Sequence, residues 1–182
     1  MLTDSEIMAC VQRGESSLFA VLAERYRPKL VRFARSRVRD ESWVEDLVQD
    51  ALLAAFQHRM SYRPEFAFST WLWTIVINCS RQWQRKIGRR QELQDQYAQS
   101  ITKQHDSKVG ITALLREEEQ GQLAEWLEEL SPAEADAIRL RFFGELSFEE
   151  VAQTMNSSVS GAKARVRKGL TKLSEIARRD DQ

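Results

Sequence analysis

Apolar residues recur three and four positions apart along almost the whole chain, and the pattern fails in one stretch only. Residues 88–110, GRRQELQDQYAQSITKQHDSKVG, hold few aliphatic side chains and many Gln, Ser and Asp. A segment without periodic apolar residues has no face to bury, so it reads as a tether, with room for a helical stretch inside it. Strand-type alternation is absent and only 3 prolines interrupt the chain. The expected fold class is therefore all-α: two small helical domains joined by a flexible linker. The expected boundaries are 1–88, a linker over 89–118, and 119–182.

The first unit reads as four helices. Thr3-Asp4-Ser5-Glu6 forms a capping-box pattern opening a short helix that Gly14 ends. A long helix pattern spans 16–38, with Pro28 marking a break or kink. The next, 42–58, gathers Val44, Leu47, Val48, Ala51 and Ala55 on one stripe and Glu45, Asp46, Gln49 and Asp50 on the other face. After the turn-like SYRPEF comes a fourth helix, 69–87. It puts Leu72, Val76, Cys79 and Trp83 on one side and Thr74, Asn78, Arg81 and Arg85 on another.

Punctuation is clearest in the second unit, where helical patterning returns near Ile111. Ser131-Pro132-Ala133-Glu134 combines an N-cap, a proline at the first helical position and Glu at the third, and Ser147-Phe148-Glu149-Glu150 repeats the capping logic. Phe148, Val151, Ala152 and Met155 follow at helical spacing. Asn156 then stands where a tight turn needs a residue that tolerates the left-handed conformation. A last helix from Ser158 carries Val159, Ala162, Val166, Leu170 and Leu173 as its inner stripe. Lys163, Arg165, Arg167 and Lys168 crowd the rest of its surface. Two helices joined by a short turn, the second basic, describe a helix-turn-helix.

Net charge is zero, but its distribution is uneven. Residues 78–90 carry five basic side chains and no acid, and residues 157–179 carry seven basic and one acidic, Glu175. Two basic helices on either side of an acidic middle suit a protein that grips DNA at two places, and solvated helix faces give the same counts. Cys10 and Cys79 form no C-x-x-C pair and read as reduced thiols. With only His58 and His105 beside them, metal binding and histidine catalysis are poorly supported. No cofactor is expected, nor any enzymatic activity. No apolar run approaches the roughly 20 residues of a membrane span. The acidic MLTDSEIMAC start lacks the order of a signal peptide, so a cytoplasmic protein without membrane insertion is expected.

Each candidate site has a plain structural alternative. Phe66, Phe68, Trp71 and Trp73 beside the Asn78, Arg81 and Arg85 stripe suit single-stranded DNA, since rings stack on bases while arginines neutralise phosphates. Core packing explains the same aromatics equally well. The basic last helix fits a DNA reader or an ordinary basic surface helix. Asp46 and Asp50, with Glu45, fit a protein-docking face or a solvated one.

Four stretches, in order, carry a family resemblance: ERYRPKLVRFARSRV, VEDLVQDALLAAF, FSTWLWTIVINCSRQWQRK, and the run from LSPAEADAIRLRFF through GELSFEEVAQTMNSSVSGAKARVRKGLTKL. The chain resembles an extracytoplasmic-function sigma factor, the two-domain minimal form of the housekeeping sigma family. The resemblance implies a transcription initiation factor that binds core RNA polymerase and promoter DNA, with an anti-sigma factor as a further partner. It implies that Asp46, Gln49 and Asp50 dock the clamp helices of the β′ subunit. It implies that Phe66 to Trp73 melt the −10 element and hold a flipped base, and that Asn78, Arg81 and Arg85 lie on −10 DNA. Arg141, Lys163, Arg165, Arg167 and Lys168 would read the −35 element from a domain that also docks the β flap.

Two departures stand out. The family's recognition helix usually begins Gly-Thr-Val, a basic residue and Ser-Arg; here the stretch is Ser160-Gly161-Ala162-Lys163-Ala164-Arg165, which lacks two hydroxyls. In the fourth helix Trp73 is followed by Thr74 where a basic residue is common. Two competing readings are a stand-alone helix-turn-helix regulator, which would bind duplex promoter without polymerase, and a sigma mimic, which would contact no DNA at all.

Overall fold

The computed structural model describes residues 2–38, 40–97 and 121–180, and every regular element among them is helical. Four helices build the first unit: α1 (Asp4–Gln12), α2 (Phe19–Arg35), α3 (Glu41–Gln57) and α4 (Phe68–Tyr97). The second contains α5 (121–128), α6 (Pro132–Ile138), α7 (Phe148–Thr154) and α8 (Val159–Asp180). Helix α4 runs on to Tyr97, which extends the fourth helix expected over 69–87. The rest of the expected linker, 98–118, lies outside the described residues.

Helix ends are set locally. Complete capping boxes close at Thr3–Glu6, Ser131–Glu134 and Ser147–Glu150, each satisfying backbone donors that a helix start leaves orphaned. Gly14 (φ 112°) and Asn156 (φ 48°) take the left-handed turns. Pro28, by contrast, sits inside an unbroken α2. Pro28 and Glu24 both face solvent, so the carbonyl that loses its amide partner can bond water.

Helices α1 to α4 bury Met8, Leu22, Leu30, Phe33, Leu47 and Leu72 around Trp73, whose ring meets Phe33 edge-on at 5.2 Å between centroids. In the second unit α6 lies across α8 at Gly169. A Cβ there would stand 2.6 Å from Ile138 Cδ1, so glycine permits the close approach. Gly169 and Ile176 are buried while Leu170 is 43% exposed, which corrects the inner stripe expected for α8.

The two units are not separate beads. Ala137, Leu140, Leu146, Val151, Ala152, Ala162 and Val166 join the α1–α4 residues in one contiguous apolar cluster. After α6 the chain makes a π-type turn, Arg139–Phe143, closed by Gly144 N–H donating to the Arg139 carbonyl at 3.0 Å. That turn lands on the first unit, and an added Cβ on Gly144 would lie 3.2 Å from the Trp73 ring.

Candidate nucleic-acid and polymerase interface

Three surfaces carry the residues singled out from sequence. On α3, Glu45, Asp46, Gln49 and Asp50 all face solvent, because the stripe from Val44 to Ala55 turns inward. Gln49 borders a groove with Phe19, Leu52, Leu53 and Phe56. Asp50 also has an internal task, accepting a hydrogen bond from Trp83 Nε1 on α4.

The second surface is the α3–α4 loop and the outer side of α4. Phe66 is 54% exposed at the loop, and Asn78, Arg81 and Arg85 are exposed along one side of the helix. The four aromatics divide. Trp71 is half-buried, held by its Nε1 donating to Ser61 Oγ at 3.1 Å, by an edge contact with Tyr62 and by a tilted contact with Phe68. Phe68 and Trp73 are buried, so core packing accounts for these two rings in this arrangement. Phe68 packs on Tyr26. Burial and the hydrogen bond to Asp4 push the Tyr26 phenol well above its usual range.

The third surface is the α7–turn–α8 unit. Lys163, Arg167 and Lys168 are exposed. Lys163 and Arg141 both stand over the Phe148 ring, at 5.6 and 5.1 Å. Arg141 Nη1 also donates to the Leu146 carbonyl at 2.7 Å, which orders the turn before α7. Arg165 lies back over its own helix, with Nη1 buried and unpaired. Lys172 belongs to the fold of the unit, because its Nζ donates to Glu134 on α6 at 2.8 Å. That bond, with the Ser131 cap, holds the Glu134 carboxyl down at about 2. Lys168 reaches the same carboxylate at 3.6 Å.

The second and third surfaces face each other. A cleft of about 580 Å³ separates Arg63, Phe66 and Trp71 from Gln153, Asn156 and Ser157. Beside it the units are bonded together, with Ser69 Oγ donating to Glu150 and Thr70 Oγ1 to Gln153. Deeper in, Arg37 and Arg81 of the first unit both donate to Asp136 of α6, Arg81 from Nη2 at 2.8 Å. Arg139 donates from Nε and Nη2 to the Ser36 carbonyl at 3.1 and 2.8 Å. Burial first, and the neighbouring Arg37 second, depress the Arg139 guanidinium to about 9, still charged at neutral pH. Sequence reasoning passed over Asp136 and Arg139. Their one signal was charge inside a short helical run, residues 134–140, where Glu134, Asp136 and Arg139 stand among apolar residues and all seven positions are buried.

Among the described residues no cluster of His, Cys, Asp and Glu is placed to hold a metal ion, and no helix is long and apolar enough to cross a membrane.

Two family profiles match the chain: Sigma-70 region 2 over residues 22–90 and Sigma-70 region 4 over residues 126–175. The ECF RNA polymerase sigma-E factor of Escherichia coli strain K12 is 30% identical over 173 residues, covering 91% of this chain and 89% of that one. The chain belongs to the ECF RNA polymerase sigma factors. The RNA polymerase sigma-H factor of Pseudomonas aeruginosa is 28% identical over 169 residues, covering 90% and 88% of the two chains. Among solved structures, CnrH in complex with the cytosolic domain of CnrY aligns with this sigma factor at a TM-score of 0.72 and 25% identity, over 97% and 98% of the chains. The sigma factor RpoE from Bartonella quintana, solved with the anti-sigma factor NepR, aligns at 0.60 and 28% identity, over 85% and 95%. Sigma factors are non-enzymatic DNA-binding regulators. This one binds core RNA polymerase and promoter DNA and directs transcription initiation, which sets aside both the stand-alone regulator and the mimic.

Proposed function

We propose that the first unit, 1–88, engages polymerase and melts the −10 element, while the second, 119–182, reads the −35 element, with 89–118 between them. Asp46, Gln49 and Asp50 dock the β′ clamp helices. Phe66 and Trp71 stack on unpaired −10 bases, with Phe68 packed against Trp71 and Trp73 anchoring the start of α4 in the core, and Asn78, Arg81 and Arg85 follow the strand. Arg141, Lys163, Arg165, Arg167 and Lys168 form the −35 reader, and the second unit also docks the β flap. The observation that carries this reading is the exposure of Asn78, Arg81 and Arg85 on one side of α4, next to Phe66 and Trp71. Cations flanking stackable rings match single-stranded DNA.

The work is binding work. Stacking and phosphate contacts offset the few kcal/mol of unstacking at each opened base step, and no bond is made or broken. The sigma factor acts in the cytoplasm with polymerase. By likeness to RpoE, which was solved with NepR, an anti-sigma factor is a further partner. Run-off transcription with core polymerase on genomic fragments tests the reading, with permanganate probing of −10 thymines. Discrete start sites and open −10 thymines are expected, and transcripts without −10 opening would overturn the melting role.

A further inference from the structure

Helix α1 carries none of the residues assigned above to polymerase or DNA, yet two of its polar side chains end on the loop that carries Phe66. Ser5 and Gln12 are seven positions apart, two turns along one side of the helix. Gln12 Nε2 donates to the Arg59 carbonyl at 2.8 Å and to the Tyr62 carbonyl at 3.0 Å, spanning the short 3₁₀ turn Arg59–Ser61. Both amide protons are used. Ser5 Oγ lies 2.7 Å from Tyr62 Oη, which lies 3.1 Å from the Phe66 carbonyl. A carbonyl only accepts, so the single phenol proton goes to Phe66 and Ser5 donates to Tyr62.

This chain of bonds ends at an exposed ring. Phe66 N–H donates to the Arg63 carbonyl at 3.1 Å, closing a turn with Pro64 at its second position. With the Phe66 carbonyl taken by Tyr62, both backbone groups of Phe66 are held while its side chain stays 54% exposed. The Tyr62 ring is buried, edge-on to Phe68 and Trp71 at 5.7 and 5.6 Å between centroids. Packing accounts for that ring, but a phenylalanine would fill the same space. The hydroxyl serves the loop.

We propose that Ser5, Gln12 and Tyr62 are positioning residues for promoter opening: they fix the loop so that Phe66 already stands where an unpaired −10 base arrives. This rests on the assignment of Phe66 to −10 bases. Ordering a loop costs conformational entropy. Here folding meets that cost beforehand, so capture of the base does not. The effect falls on the opening step alone, because in the closed complex the bases are still paired and Phe66 has none to stack on.

The test uses holoenzyme assembled with the full chain, on a promoter fragment recovered by the run-off transcription above. Tyr62→Phe keeps the ring and removes the hydroxyl, and Gln12→Glu keeps the length and removes both donors. Phe66→Ala and its combination with Tyr62→Phe complete the set. Circular dichroism checks folding, footprinting reads closed-complex affinity, and permanganate reactivity of the −10 thymines over time reads opening. Phe66→Ala is expected to open slowly. Tyr62→Phe and Gln12→Glu are expected to form closed complexes as wild type does and to open about tenfold more slowly, the effect of roughly one hydrogen bond. On the Phe66→Ala background Tyr62→Phe should add no further loss, since no ring is left to position. Should Tyr62→Phe fail to fold, Gln12→Glu and its combination with Phe66→Ala make the same comparison. If the single variants open at the wild-type rate while Phe66→Ala does not, the positioning role is wrong and the Phe66 assignment stands. A matching loss of closed-complex affinity, or an equal further loss on the Phe66→Ala background, would make these bonds structural only. Normal opening by Phe66→Ala removes the assignment and the proposal with it.

Discussion

Trp83 Nε1 donates to Asp50 Oδ2 at 2.9 Å, joining the acidic face of α3 to the basic length of α4. Asp50 is therefore both a solvent-facing carboxylate, proposed above to dock polymerase, and an acceptor inside the first unit. Asp50→Asn keeps an acceptor oxygen and removes the charge, whereas Asp50→Ala removes both. Thermal melts should show Asp50→Ala losing about 0.5–1.5 kcal/mol and Asp50→Asn close to wild type. Core polymerase affinity should fall in both. Equal affinity of Asp50→Asn and wild type would detach this residue from docking.

Trp71 and Trp73 are two residues apart and should behave differently. Trp73→Ala opens a cavity in the shared core and should destabilise the protein by about 3–5 kcal/mol, read by chemical denaturation. Trp71 is half-buried with one hydrogen bond to Ser61, so Trp71→Ala should cost far less stability. Holoenzyme with Trp71→Ala should form closed complexes normally and show weak permanganate reactivity at −10. Normal reactivity in this folded variant would remove Trp71 from melting.

Glu134 makes the second unit sensitive to acid. Its carboxyl sits at about 2, held there first by the Lys172 hydrogen bond, against about 4.3 in an unfolded chain. A depressed carboxyl stabilises the fold above the unfolded value, and that stability is lost as pH falls through the window from about 4.3 to about 2. Melting temperature against pH should drop across this window in wild type and more shallowly in Glu134→Gln. Parallel curves would mean that other carboxylates govern the transition.

On α8, Lys163 stands one turn in from the helix start and Arg167 one turn further on, both exposed. Lys163→Ala should change the ranking of −35 sequences, with about 1–3 kcal/mol lost on the best site. Arg167→Ala should weaken all sequences alike and reduce the salt slope by about one. Lys172→Ala should act on the stability of the unit, because its ammonium is engaged by Glu134. Polymerase-dependent binding to a −35 library at several salt concentrations reads the first two, and a sequence-neutral Lys163→Ala would mean that α8 meets DNA in another register.

The local punctuation of this protein was legible in its residues. Caps at Thr3, Ser131 and Ser147 and the turn at Asn156 depend on neighbours three or four positions away, and they form as the pattern requires. The order of the sigma motifs was equally local. Other features turned on what each helix met after it formed. Pro28 stays within α2 because its side of the helix faces water, and Leu170 points outward because α6 needed the bare surface of Gly169. Trp73, a stacking candidate by composition, is core because Phe33 and the turn at Gly144 close over it. Asp136 depends most on the tertiary structure, since its arginines lie 55 and 99 residues away. A buried carboxylate is tolerable only where cations reach it, and helical periodicity says which side of α6 is covered, never which charges the covering surface brings.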